Sequence, residues 1–242
     1  MSDRLKELYF KVIENEPENT YFRKCGFVAC DNFKDKPDAK FKILITGMNP
    51  AKPISPDDQN DKNGLGEYVP TDSYPNPFSS PNLEYFKDLL DIIPEEFKDK
   101  TAYFDIFPFY EYSQRTLEER IKKRTQTMAR ILEVTQNEIE KIKPKLIIIA
   151  NYSSGAYWGI DKNCCWMGYR FNRIMPKGLD EFEVFKVEKS MRSDEDRINN
   201  KLETTQLDGC LVVRYHHKSQ DGKKAKLIED DCRKLLALCD ID

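Results

Sequence analysis

The sequence predicts an α/β domain of three layers, a mostly parallel central sheet with helices on both faces. Three observations carry that expectation. Four short apolar runs read as buried strands: KILIT at 42–46, TAYFDIF at 101–107, LIIIA at 146–150 and CLVVRY at 210–215. Segments with apolar residues at helical spacing separate most of them. LIIIA is apolar throughout, the mark of a strand covered on both faces.

The elements follow in order. Residues 3–15 place Leu5, Leu8, Tyr9, Val12 and Ile13 on one helical face. The first strand ends abruptly at Gly47, Met48, Asn49 and Pro50. Residues 51–80 are rich in Pro, Asn, Asp, Ser and Gly, so a long loop is expected. Ser80 and Pro81 suit a cap and first turn, and Leu83, Phe86, Leu89, Leu90 and Ile93 supply that helix's inner face. Pro108 stops the second strand. Thr116 to Glu119 has the capping-box spacing, predicting one helix from there to about residue 142. Residues 151–180 read as irregular, EVFKV at 183–187 as a further strand, and 189–208 as an exposed polar excursion. A closing helix over 224–239 turns Ile228, Cys232, Leu235, Leu236 and Cys239 inward.

Composition narrows the function classes. The 242 residues suit a single domain, with residues 1–40 as a helical N-terminal extension. A formal net charge of −3 means that any grip on nucleic acid must come from a local basic patch. Seven cysteines, with Cys25/Cys30 and Cys164/Cys165 as the nearest pairs, match no common zinc spacing. Reduced thiols, a cytoplasmic location and no metal or organic cofactor are the expectation. The opening MSDRLKELYF is charged and helical in pattern rather than leader-like, and no run is long enough to span a bilayer.

In an open parallel sheet, ligands bind beyond the carboxyl ends of the strands. Those ends carry GMNP after the first strand, DIFP at the second, Asn151 after the third and HHKS after the last. In this order, over residues 40–240, the chain resembles the uracil-DNA glycosylase superfamily. It is most similar to the GxNP-bearing mismatch-specific and single-strand-selective branches. The resemblance implies a uracil-DNA-glycosylase-like fold. It also implies a monofunctional, monomeric DNA-repair enzyme of base excision, which flips a damaged, mismatched or modified base from DNA and hydrolyses its N-glycosidic bond.

The residues fit that chemistry as follows. Asn49 is the first catalytic candidate. A carboxamide does not titrate near neutral pH, but its oxygen can hold the attacking water at the anomeric carbon. Asn-Pro after a strand is also a plain turn. His217 is the second: it can donate to the departing base's carbonyl as charge develops. His216 is its neighbour and competitor, and Lys218 stands where the family has proline. Gly47, Met48 and Ser219 join the substrate-binding set by the same resemblance. Phe78 is the candidate to stack on an extruded base, with Tyr68 and Tyr74 as rivals. Asp105 replaces the family's asparagine. When ionised it only accepts hydrogen bonds and suits an exocyclic amino group; when protonated it can donate. The other reading is a capping aspartate. Lys218, Lys223 and Lys224, with Arg214 and Lys226, form the expected DNA-binding patch. A second run, Arg115, Arg120, Lys122, Lys123, Arg124 and Arg130, reads as a solvated helix face, and Asn151 as a helix cap. The alternative function is a catalytically silent nucleic-acid- or nucleotide-binding module.

Overall fold

The structure, a computed structural model, describes residues 3–15, 41–48, 84–109, 111, 114–161, 165–193, 195, 197–199, 201–214 and 226–239. Helix α1 is Asp3–Ile13. Strand β1, Ile43–Gly47, is followed by α2 (Glu84–Asp91), α3 (Glu95–Lys98) and β2 (Thr101–Asp105). Next come α4 (Gln114–Lys123), α5 (Thr125–Ile142), β3 (Leu146–Ile149) and a 3-10 turn over Tyr152–Ser154 that leads into α6 (Gly155–Trp158). The chain then runs through β4 (Phe171–Ile174), β5 (Glu183–Val187), β6 (Leu211–Arg214) and α7 (Glu229–Leu238).

The six strands form one sheet in the order β2-β1-β3-β6-β5-β4. The first four run parallel, and β5 is antiparallel to both β6 and β4. Alternation along the strands divides the core in two. Ile43, Ile45, Tyr103, Ile148 and Val213 face α2, α3 and α7. Leu44, Phe104, Ile147, Ile149 and Val212 face α1, α4 and α5. The mixed α/β architecture, with helices on both faces of a mostly parallel sheet, thus agrees with the sequence. Helix α1 belongs to the same core: Tyr9 and Ile13 are fully buried, and the Tyr9 hydroxyl lies 2.8 Å from Thr135 Oγ1 on α5. No helix among the described residues is long and apolar enough to cross a membrane.

Several expectations need correction. Thr116 lies inside α4 rather than at its cap, and the helix expected to run unbroken breaks at Arg124 (φ −133°). The cause is local: Thr125 Oγ1 donates back to Ile121 O at 3.0 Å, competing with the helical ladder. The irregular stretch after β3 contains the edge strand β4. The closing helix starts at Glu229, where Ile228 N–H donates to Asp231 Oδ2 at 3.3 Å, and Ile228 is exposed, not inward. Ser80, Pro81 and Leu83 lie outside the described residues.

The polar segment 189–208 is no free excursion. Met191, Asn199, Thr205 and Leu207 are buried in it. Glu140 on α5 holds it down. One carboxylate oxygen accepts from the Tyr169 hydroxyl at 2.9 Å and Thr205 Oγ1 at 2.5 Å, and the other accepts from Gln206 N–H at 2.7 Å. A buried carboxylate with three donors is stable; donors stripped of it are not. We therefore expect Glu140→Ala to lower unfolding free energy by about 3 kcal/mol in urea titrations, with Thr205→Ala losing distinctly less.

Candidate functional site

The strand order reverses between β1 and β3, the position where an open α/β sheet forms its ligand crevice. The parallel register sets Gly47 beside Asp105 at the carboxyl ends of β1 and β2. The ladder continues past the strands: Ile106 N–H donates to Gly47 O at 3.3 Å and Phe107 N–H to Met48 O at 2.9 Å. Thr135 Oγ1 on α5 donates to Ile106 O at 3.0 Å, and Ala150 N–H to Thr46 O at 2.9 Å. The ends of three strands are thereby fixed relative to one another.

Asp105 is 6 % exposed. Its Oδ1 accepts from the Tyr103 hydroxyl at 3.1 Å, and among the described residues it has no cationic partner. Burial pushes its carboxyl up to about 7, with the Tyr103 hydrogen bond pulling the other way. Near neutral pH the group is divided between acid and carboxylate. Gly47 is required by this packing, since a Cβ there would overlap Asp105 Oδ1 and lie 2.8 Å from the Tyr103 hydroxyl. Tyr103 was not singled out from sequence, although strand alternation places it two residues from Asp105 on the same face. Met48 is buried, 3 % exposed, and Thr46 Oγ1 is buried without a partner among the described residues.

Behind the DIFP turn stands an aromatic stack. Phe107 meets Tyr157 edge-on at 5.1 Å between centroids, and Tyr157 meets Trp166 at 5.4 Å. It gives the turn a rigid backing.

At the end of β6, Arg214 departs from its expected role. It was expected in a phosphate-gripping patch, but it is 4 % exposed and doubly paired. Its NH1 donates to both Asp161 oxygens at 2.8 and 2.9 Å, and its Nε to Glu183 Oε2 at 2.8 Å. The guanidinium also stacks on Tyr152, 3.9 Å from the ring centroid. Burial opposes ionisation of Glu183, yet Arg214's hydrogen bond and charge hold its carboxyl below the usual range. The Arg214 guanidinium is thus committed to two carboxylates rather than free to grip phosphate. Arg120 departs likewise from the solvated face: it pairs with buried Glu111. Lys226 remains exposed, 3.8 Å from Asp88. Asn151 behaves as the expected cap, its Oδ1 accepting from Ser154 N–H at 3.2 Å.

The structure thus brings Gly47, Met48 and Asp105 together. Asn49, Phe78, His216, His217, Lys218, Ser219, Lys223 and Lys224 lie outside the described residues. No protein-family model, curated protein or solved structure matches the chain.

The raised pKa of Asp105 makes stability depend on pH. Its folded value exceeds its unfolded one, so the folded chain keeps a proton that the unfolded chain releases. Asp105 therefore costs nothing below pH 3.8, a growing amount as pH rises to about 7, and a constant amount above. That amount is roughly 4 kcal/mol at most. We expect Asp105→Asn to be more stable than wild type at neutral pH, with the gap in Tm opening between pH 4 and 7 and then levelling. A gap independent of pH would place the carboxyl in a solvated setting. Gly47→Ala should lose about 1–3 kcal/mol in denaturant titration through overpacking against Asp105.

Proposed function

We propose that this chain is a DNA glycosylase-like hydrolase on a uracil-DNA-glycosylase-like fold, cleaving the N-glycosidic bond of a flipped base to leave free base and an abasic site. The observation that carries this reading is the register that sets Gly47 beside Asp105 at the carboxyl ends of β1 and β2, next to the reversal of strand order between β1 and β3. A nearly neutral, buried carboxyl at that point is a group suited to reading the edge of a base. As an acid it donates to a ring carbonyl; as a carboxylate it accepts from an exocyclic amino group.

In this mechanism Asn49 holds water against the anomeric carbon, and His217 donates to the base's carbonyl oxygen as negative charge develops there. Phe78 covers one face of the base, and Ser219 and Met48 complete the pocket. Lys218, Lys223 and Lys224 grip the phosphates. Water adds to the anomeric carbon as the bond to the base nitrogen breaks; the bonding pair leaves with the base, the added water loses a proton to solvent, and the base anion takes one up. No metal is invoked. Two features favour the second reading, a catalytically silent nucleic-acid- or nucleotide-binding module: Asp105 stands where the family has asparagine, and Lys218 where it has proline.

Base release from labelled oligonucleotides carrying uracil, mismatched thymine, cytosine, hypoxanthine or oxidised pyrimidines tests the proposal. Asn49→Ala and His217→Ala should each lower release roughly 10²–10³-fold while DNA binding persists. For a base read through a carbonyl, release should fall as pH rises through about 7, and Asp105→Asn should flatten that limb. DNA binding without release from any substrate would support the binding module; release unchanged in both variants would overturn the site.

A further inference from the structure

A groove of about 440 Å³ lies at the other end of the sheet. It is formed where β4 begins and β5 ends. Val187 N–H donates to Cys210 O, just before β6 starts, so this is the amino-terminal side of the parallel strands. From strand spacing and rise, the groove is more than about 25 Å from Asp105. Its volume falls in the range of small-molecule sites.

Phe171 is the open part of the floor, backed by buried rings. Phe171 and Phe185 meet at 5.9 Å between centroids with their planes 65° apart, and Tyr169 flanks Phe171 at 6.3 Å. Phe171 is half-buried, so part of its ring is open to a ligand. One wall is backbone. Gly159 has φ +100° and approaches so closely that a Cβ there would stand 3.0 Å from Tyr169 O. Arg192 NH1 donates to Gly159 O at 3.4 Å and fixes that wall.

The charges on the rim are the telling feature. Phe171 pairs with Val187 across the antiparallel ladder, and Glu188 N–H donates to Arg170 O at 2.9 Å. Arg170 and Glu188 are therefore cross-strand neighbours of opposite charge, within reach of an ion pair. They do not form one. Arg170 uses its Nε on Met191 O at 3.1 Å, and among the described residues neither its terminal nitrogens nor the Glu188 carboxylate has an ion-pair partner. Both line the groove, as does Phe171.

We propose that this groove binds a small aromatic molecule that carries both an anionic group and an amino group, on the scale of an aromatic amino acid. The anion bridges to Arg170, the amino group to Glu188, and the ring packs on Phe171. The site is independent of the glycosylase reading, since it shares no residue with the strand-end crevice.

L-Tryptophan is the probe, followed by NMR titration of the whole chain, with tryptamine and indole-3-propionate as the two halves of its charge. Tryptophan should bind saturably, and each half-charged analogue about tenfold more weakly. Arg170→Ala should weaken tryptophan and indole-3-propionate about tenfold and leave tryptamine unchanged; Glu188→Gln should do the reverse, weakening tryptophan and tryptamine alone. Base release, where present, should be unaffected by either variant. Absence of saturable tryptophan binding, equal binding of all three compounds, or indifference to both substitutions would overturn the proposal.

Discussion

A parallel sheet must be covered on both faces, and most of this structure follows from that constraint. The strands β2, β1, β3 and β6 give alternate side chains to two separate, largely apolar cores. Reactive groups are displaced to where the strands stop. Gly47, Asp105 and Arg214 all stand at such ends, and each is fixed by contacts to neighbouring strands or loops. The same constraint makes β4 and β5 different in kind. As an antiparallel pair at the edge, they leave one side partly open, and the groove at Phe171 lies there.

Asp105 illustrates the tension between stability and chemistry. A carboxyl with one hydroxyl partner among the described residues and almost no solvent is poorly placed for folding at neutral pH. An asparagine would sit there more comfortably. Gly47 deepens the commitment, because its missing side chain is what lets the carboxyl approach β1. Two residues thus give up stability at one point, the pattern expected where a site is built for binding rather than for packing. Arg214 shows the opposite arrangement, a buried charge fully matched and held for structure.

What was legible in the sequence follows the physics of each signal. Strands β1, β2, β3 and β6 were clear because burial on both faces makes apolar runs. β4 was not: FNRI is half-exposed at the edge, and neither a run nor a clean alternation marks it. Residues 189–208 looked solvated because polar groups that satisfy one another, as around Glu140, carry no hydropathy signal. Asp105 was found from its place at a strand end, and Tyr103 was within reach by alternation. The need for Gly47 was hidden, since it depends on the β1–β2 register. Arg214 misled because its partners Asp161 and Glu183 are 53 and 31 residues away in the chain.

Helix α5 makes polar ties to distant parts of the chain. Thr135 meets Tyr9, 126 residues earlier, and Glu140 meets Thr205, 65 residues later. Such contacts form only after large loops have closed, and loop closure rather than helix growth then sets the pace of folding. Thr205 is made 65 residues after Glu140, so α5 cannot complete its polar ties until a long stretch beyond it has been synthesised.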